Sequence, residues 1–124
     1  MVGIGRERVG MGPARGDIHF VAFPDLGGNV IKGPHPALVV QTNRLRGSST
    51  TVVLPMTSSA RAAAFDPPFL VHARSRDSGL PRDGWIKCDQ PLPLPTTVLG
   101  PRVGRLSPEA LERVDTALRF VLDL

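Results

Sequence analysis

The chain has 124 residues, 41% of them hydrophobic and 21% charged, a balance typical of one globular domain with its own core. A single cysteine, Cys88, excludes an internal disulfide framework, and the three histidines are too scattered to complete a zinc site with it. No apolar run approaches the roughly 18–20 residues of a membrane-spanning helix, and no signal peptide is recognisable, so we expect a cytoplasmic protein without a metal or other cofactor.

The net charge of +4 is unevenly distributed along the chain. Residues 107–124 hold two arginines and four acidic residues, so the rest of the chain carries the whole positive excess. A basic body favours a polyanionic partner, because neutralising phosphates supplies the non-specific part of nucleic-acid affinity. An arginine-rich composition of the whole proteome would produce the same excess, so charge alone does not establish nucleic-acid binding.

The first fifteen residues are rich in glycine and arginine without hydrophobic periodicity, so we predict a flexible tail over residues 1–15 and a domain over residues 16–124. The alternation of "DIHFVAF" and the β-branched runs "PALVVQT" and "TTVVLPMT" predict three strands. "PFLVHA" and "GWIKCD" predict two more, and "RVGRL" a short edge strand. The prolines and glycines fall mostly between these runs, as the turns of a small barrel require.

The chain ends in a predicted amphipathic helix that starts at "SPEALERV". Ser107 is a natural N-cap, and Pro108 stands at the first helical position, where its missing N–H costs nothing. The apolar residues recur at helical period and predict one buried stripe: Leu111, Val114, Leu118 and Val121, supported by Leu122. Five or six short strands and one such helix predict a mainly β fold, a small barrel with the helix packed on it.

Five segments of the chain together resemble one protein family. In order they are "RGDIHFVAF", "GPHPALVVQTN", "TVVLPMTSS", "GWIKCDQP" and "VGRLSPEALERVDTALRFVLDL", from about residue 15 to the end. They are similar to the MazF/PemK-type toxins of bacterial type II toxin–antitoxin pairs, and the Lys-Cys-Asp-Gln run is most similar to the PemK/Kid branch. The resemblance implies an SH3-like barrel in a homodimer that acts as an mRNA interferase, a sequence-specific, metal-independent endoribonuclease on single-stranded RNA. It also implies a cognate antitoxin that lies in the RNA groove.

The run from Lys87 to Gln90 contains the side chains that this chemistry needs. Attack by the RNA 2′-OH requires a base for its proton, an acid for the 5′ leaving oxygen and a positive group for the phosphate oxygens. If the run is a strand, Lys87 and Asp89 project from the same face and Cys88 is buried behind them. Asp89 is then the candidate base and Lys87 the acid or the phosphate-binding charge, with a 2′,3′-cyclic phosphate and a 5′-OH as products. The spacing alone equally permits a solvated ion pair.

Further candidate contacts lie at the end of the third strand and in the first loop. Thr57 matches a threonine that is functional in the family, and its hydroxyl, with Ser58 beside it, is placed to bind phosphate; an ordinary turn threonine is the alternative. The loop "PDLGGNVIKG" has no P-loop pattern, and we expect a mobile lid over the groove. Asn29 and Lys32 in this loop, together with Gln90, are predicted to contact RNA.

His35 is the main departure from the family pattern. In "GPHPALVV" it stands where most relatives carry a catalytic or phosphate-binding arginine. An imidazole lacks the planar fork of guanidinium donors, but it can move a proton. The PemK branch has a functional histidine at the position of Asn29, so the histidine is either relocated to His35 or the enzyme is weakened. Trp85, on the predicted face of Lys87, either stacks on a base or packs in the core or a dimer.

Two other functions are compatible with these residues. A catalytically degenerate RNA-binding relative would keep the groove and lose the chemistry through the changes at Asn29, at His35 and at Lys87, where the resemblance to the PemK/Kid branch implies an arginine. The related CcdB-type toxins bind DNA gyrase through their C-terminal residues instead. The ending "FVLDL" and the RNase-like "KCDQ" run of this chain argue against the gyrase-binding alternative.

Overall fold

The computed structural model describes residues 12–59, 61, 64 and 67–124. Its strands are β1 (Asp17–Phe23), β2 (Gly33–Val39), β3 (Thr50–Thr57), β4 (Leu70–Ala73), β5 (Gly84–Lys87), β6 (Leu92–Pro95) and β7 (Arg102–Arg105). A single helical turn, α1 (Ser75–Ser78), precedes β5, and the long helix α2 (Pro108–Leu122) follows β7. No helix in this described part of the chain is long and apolar enough to span a membrane.

The strands form one curled antiparallel sheet of order β4-β5-β3-β2-β1-β7, with β6 paired to β3 beside that path. β3 pairs with β6 from Thr50 to Val53 and with β5 only at Met56 and Thr57. Because β3 changes partner along its length, the sheet bends into a half-barrel. The prediction of a mainly β fold with a C-terminal helix is therefore confirmed, and β6 is a strand that the sequence analysis did not predict.

The two faces of the sheet bury separate cores. One core lies between the sheet and α2; among its buried residues are Ile18, Leu38, Leu54, Met56, Ile86, Cys88, Ala110 and Val114. The other lies on the opposite face, under β6; its buried residues are Val21, Phe23, Ala37, Val39, Val53 and Leu94. Successive strand residues point to opposite faces, so β2 and β3 contribute alternate side chains to the two cores.

Helix α2 begins as predicted, and its buried face overlaps the predicted stripe at Val114 but is shifted toward Ala110 and Ala117. The Ser107 hydroxyl oxygen accepts a hydrogen bond from the backbone N–H of Ala110 at 3.3 Å. The fully buried helix residues are Ala110, Val114 and Ala117, whereas the predicted leucines Leu111 and Leu118 are only partly buried at the margin of the core. Leu122 is 52% exposed, so the expectation that it supports the buried stripe is wrong. The alanines fill the centre of the contact because their small side chains let the helix lie close to the sheet.

Residues 12–15 pack on the domain, although the sequence analysis assigned them to the tail. Ala14 is buried, and its N–H donates to the Oδ2 atom of Asp17 at 2.9 Å. Arg15 forms an ion pair with Asp115 of α2. These contacts are mostly polar, so they leave no hydrophobic period in the sequence. The predicted flexibility of residues 1–11 lies outside the described residues, and the division of the chain at residue 15 stays a prediction.

Candidate functional site

Four side chains form a row across four strands on the sheet face away from α2. Thr57 of β3 pairs with Trp85 of β5, which in turn pairs with His72 of β4. Extending the observed β2–β3 register by two residues places His35 opposite Thr57. Directly opposed residues of antiparallel strands project from the same face, so His35, Thr57, Trp85 and His72 share one surface.

A groove of about 780 Å³ lies beside this row. It is lined by Asn29, Thr57, Ser59, Arg61, Pro67, Phe69, Leu70, Lys87, Asp89 and Gln90. The fold therefore brings five predicted site residues from three separate segments to one groove: Asn29, Thr57, Lys87, Asp89 and Gln90. Lys32, His35 and Ser58 do not line it.

Lys87 and Asp89 reach the groove by a turn and not by strand alternation. β5 ends at Lys87, and the turn closes where the N–H of Gln90 donates to the carbonyl oxygen of Lys87 at 3.2 Å. The strand that the sequence analysis assumed thus ends before Asp89. Lys87 is half-buried and Asp89 is exposed, and these two described residues form no ion pair with each other. The prediction that Lys87 and Asp89 project from one strand face is therefore corrected. They are two separate charged residues that line the same groove.

Cys88 anchors this turn to the core that contacts α2. The residue is fully buried, as the sequence analysis expected. Burial, with a smaller contribution from the negative charge of Asp89, raises the pKa of the Cys88 thiol to about 12. The thiol therefore stays protonated and unreactive at neutral pH, and its packing holds the backbone of Asp89 at the rim of the groove.

Gln90 is hydrogen-bonded to the loop between β1 and β2. Its amide oxygen accepts the N–H of Ile31 at 3.0 Å, and its amide nitrogen donates to the carbonyl oxygen of Asn29 at 3.2 Å. Both polar ends of the amide are thus occupied by loop backbone, which positions Asn29 at the groove. Lys32 lies farther along the loop, exposed and 3.5 Å from Asp25. The loop is therefore hydrogen-bonded to Gln90, and its predicted mobility as a lid stays a prediction.

His35 lies in a second cavity, of about 440 Å³, on the other side of Thr57. Thr57 lines both this cavity and the groove, whereas Ser58 lines the cavity alone. The Nδ1 atom of His35 lies 3.1 Å from the carbonyl oxygen of Met56. A carbonyl oxygen only accepts hydrogen bonds, so Nδ1 carries the proton and Nε2 is the ring nitrogen free for other chemistry.

Thr57 is the meeting point of the two concave surfaces. Its hydroxyl oxygen accepts the N–H of Ser59 at 3.1 Å, which leaves the hydroxyl proton available for a ligand. His35 and Asp89, which the sequence analysis placed in one catalytic set, thus lie on opposite sides of this threonine.

Two groups at the site were not predicted. Arg61 lines the groove, and it is the only basic residue between β3 and β4, a signal that the sequence carried. The rings of His72 and Trp85 stack with centroids 5.1 Å apart, and that pairing follows from a β4–β5 register that the sequence pattern does not give. Among the described residues, no group of three or more His, Cys, Asp or Glu side chains could hold a metal ion.

The model of the PemK-like, MazF-like toxins of type II toxin–antitoxin systems matches residues 14–122. An endoribonuclease solved in complex with its cognate antitoxin, from a mycobacterial species, is 27% identical, with a TM-score of 0.71 over 90% of this chain and 96% of that chain. A second mycobacterial endoribonuclease is 25% identical, with a TM-score of 0.71 over 91% of this chain and 93% of that one. MazF of Deinococcus radiodurans, 22% identical, shares the fold, with a TM-score of 0.76 over 91% and 98% of the two chains. No curated protein matches the sequence. The chain belongs to the family of PemK-like, MazF-like toxins of type II toxin–antitoxin systems.

Proposed function

We propose that the chain is a toxin endoribonuclease that cleaves single-stranded RNA by attack of a 2′-OH on the adjacent phosphate. The observation that carries the proposal is the groove, which combines the Asp89 carboxylate, the Lys87 ammonium and the Thr57 hydroxyl. Membership of the toxin family and the similarity to two mycobacterial endoribonucleases support it.

Each of these side chains has a chemical task in such a reaction. The exposed carboxylate of Asp89 accepts the 2′-OH proton, because a carboxylate can act as a general base and this one lies at the groove rim. Lys87 and Arg61 supply positive charge for the phosphate oxygens, whose negative charge grows as the phosphorane forms. The products are a 2′,3′-cyclic phosphate and a 5′-OH, and no metal ion takes part.

His35 supplies the acid in this scheme. A phosphate seated at Thr57 would border both concave surfaces, so Asp89 acts from the groove and His35 from the second cavity. A base and an acid on opposite sides of the phosphorus suit an in-line displacement, in which the 2′-OH enters as the 5′ oxygen leaves. The Nε2 atom of His35 is the proton donor, because Nδ1 is engaged by the Met56 carbonyl.

We also propose a homodimer and a cognate antitoxin. Phe20 and Val103 border the His35 cavity with 43% and 39% of their surface exposed, and a two-fold contact over them would extend the RNA surface into a second copy. The related mycobacterial endoribonuclease was solved with its antitoxin, and MazF of Deinococcus radiodurans with MazE. Because its RNA substrate and antitoxin are cytoplasmic, the protein acts there.

Incubation of the purified protein with a long unstructured RNA in EDTA tests the proposal. We expect cleavage at a short sequence, with 2′,3′-cyclic phosphate and 5′-OH ends. RNA binding without cleavage would instead indicate the degenerate RNA-binding relative. Inhibition of gyrase supercoiling without RNA cleavage would indicate a CcdB-like toxin, for which the exposed C-terminal residues Phe120, Leu122 and Leu124 are the candidate contact.

A further inference from the structure

A basic pocket at the β1–β7 side of the sheet shares no lining residue with the groove or with the His35 cavity. Its volume is about 350 Å³, and its polar walls are Asp17, His19, Arg46, Thr96 and Arg102. We propose that this pocket binds a tetrahedral oxyanion, a phosphate or sulfate group, together with a proton on His19. The proposal does not depend on the RNA-cleaving function.

One atom of His19 leads to this inference. Its Nδ1 lies 2.9 Å from the carbonyl oxygen of Gly100. Nδ1 therefore carries a proton and donates a hydrogen bond to that oxygen. Its Nε2 is buried and has no hydrogen-bond partner within the described part of the chain. Buried polar atoms in folded proteins are nearly always paired, so an unpaired ring nitrogen at a pocket wall indicates a ligand.

Arginines supply the charge for an anionic ligand. Arg102 is the cross-strand partner of His19, so both side chains project from the same face. Arg46 donates its Nε–H to the carbonyl oxygen of Gly12 at 2.6 Å, which fixes the guanidinium in the pocket wall. Within the described residues its terminal N–H groups have no other partner, so they can bind a ligand.

The one carboxylate in the pocket is already neutralised. Asp17 lies 2.5 Å from Arg105 and 4.0 Å from Arg102, and its second oxygen accepts the N–H of Ala14. Among the residues that the structure describes, the other elements around His19 bring no further titratable group, because β2 places Ala37 opposite it and the segment after β6 contributes Thr96 and Leu99. The described charged groups near the ring are therefore three arginines and one paired aspartate.

We expect binding of the anion in this pocket to be coupled to protonation of His19. Arg46 and Arg102 line the pocket beside His19, and their positive charge favours an anionic ligand. A bound oxyanion offsets their charge and also accepts the Nε2–H that protonation creates. The Thr96 hydroxyl already bonds to Ser48 and Thr51, so the imidazolium and the two guanidinium groups are the ligand's donors.

Sulfate is the appropriate probe, because its charge does not change between pH 5.5 and pH 8. We expect titration calorimetry to show sulfate binding at least about fivefold tighter at pH 6 than at pH 8, because a ligand that binds together with a proton binds more tightly as the pH falls. His19→Gln should weaken binding at pH 6 and remove the pH dependence, and Arg102→Gln should weaken binding at both pH values. The matched control is Arg119→Gln, an exposed arginine of α2 outside the pocket, which should keep the sulfate affinity and pH dependence of the unmodified protein.

Equal sulfate affinity at both pH values, or no detectable binding at tens of millimolar, would overturn the proposal. If His19→Gln does not fold, NMR of the His19 ring in the unmodified protein decides: the resonance must shift with sulfate at pH 6 for the proposal to stand. A DNA trinucleotide, which has no 2′-OH to be cleaved, distinguishes the source of the anion. If the trinucleotide competes with sulfate, the pocket binds a backbone phosphate of a nucleic acid. If it does not compete, the pocket binds a free anion.

Discussion

The Nδ1 atom of His35 lies 3.1 Å from the carbonyl oxygen of Met56, the residue that precedes Thr57. This contact holds the imidazole against the end of β3 and leaves Nε2 as the nitrogen that can exchange a proton with a substrate. His35 is therefore positioned next to Thr57, the residue that lines both the cavity and the groove.

We predict that the rate of RNA cleavage falls with rising pH over the range in which the protein stays folded, because a general acid must hold its proton to donate it. His35→Arg should reduce the rate by at least about 100-fold, since the guanidinium does not release its proton, while the added charge tightens RNA binding. Single-turnover rates and RNA affinities across this pH range check both effects. Higher activity in His35→Arg would mean that the histidine only substitutes for a phosphate-binding arginine.

Gln90 is predicted to support RNA binding indirectly, through its hydrogen bonds to the loop between β1 and β2. Gln90→Ala removes two hydrogen bonds to backbone and should cost about 1–3 kcal/mol of folding free energy. Gln41 is a matched control, because it also bonds the backbone twice, at Thr50 and Val52. Denaturant unfolding should show similar losses for Gln90→Ala and Gln41→Ala, whereas only Gln90→Ala should raise the KM for RNA. If Gln90→Ala and Gln41→Ala change the KM equally, Gln90 does not position the loop for RNA.

Trp85 is predicted to bind a base beside Thr57. Stacking of a base on an aromatic side chain contributes about 1–3 kcal/mol, so Trp85→Leu should weaken RNA binding by roughly tenfold or more with little change in the single-turnover rate. Fluorescence anisotropy with a short RNA measures the affinity, and light scattering measures the oligomeric state. If the variant dissociates into monomers while each monomer keeps its RNA affinity, Trp85 packs in a dimer contact instead.

The raised pKa of Cys88 predicts a loss of stability in alkali. The unfolded thiol ionises near 9.0 and the folded one near 12, so the folded state holds the proton more tightly. The contribution of Cys88 is therefore complete below pH 9 and is lost as the pH rises from 9 to 12, by up to about 1.4 kcal/mol per pH unit. The chain has no tyrosine to obscure this change.

Urea unfolding at pH 8 and pH 10.5 checks this prediction, with Cys88→Ala as the variant that lacks the thiol. The difference in stability between the two pH values should be smaller in the variant. Iodoacetamide should also fail to modify native Cys88 at pH 8. Rapid modification of the native protein would show that the turn before Asp89 opens readily.

The sequence predicted most of the strands because their apolar residues alternate or cluster between glycines and prolines. It did not predict β6, since proline lacks the N–H that a strand ladder uses; Pro93 and Pro95 are accommodated because β6 pairs only with the first half of β3. The register between neighbouring strands also cannot be predicted from the sequence pattern. The Trp85–His72 pair and the position of His35 across Thr57 from Asp89 both follow from that register.

The central claim is that the groove holding Asp89 cleaves RNA, and the most direct measurement is the single-turnover rate of Asp89→Asn in EDTA. We predict a loss of about 10²–10⁴-fold with RNA affinity equal or higher, because the variant lacks the base and one negative charge near the phosphate. Asp25→Asn, which changes an exposed aspartate outside the groove, should keep the full rate. Asp89→Asn cleaving RNA at the unmodified rate, with the same cyclic phosphate ends, would contradict the account.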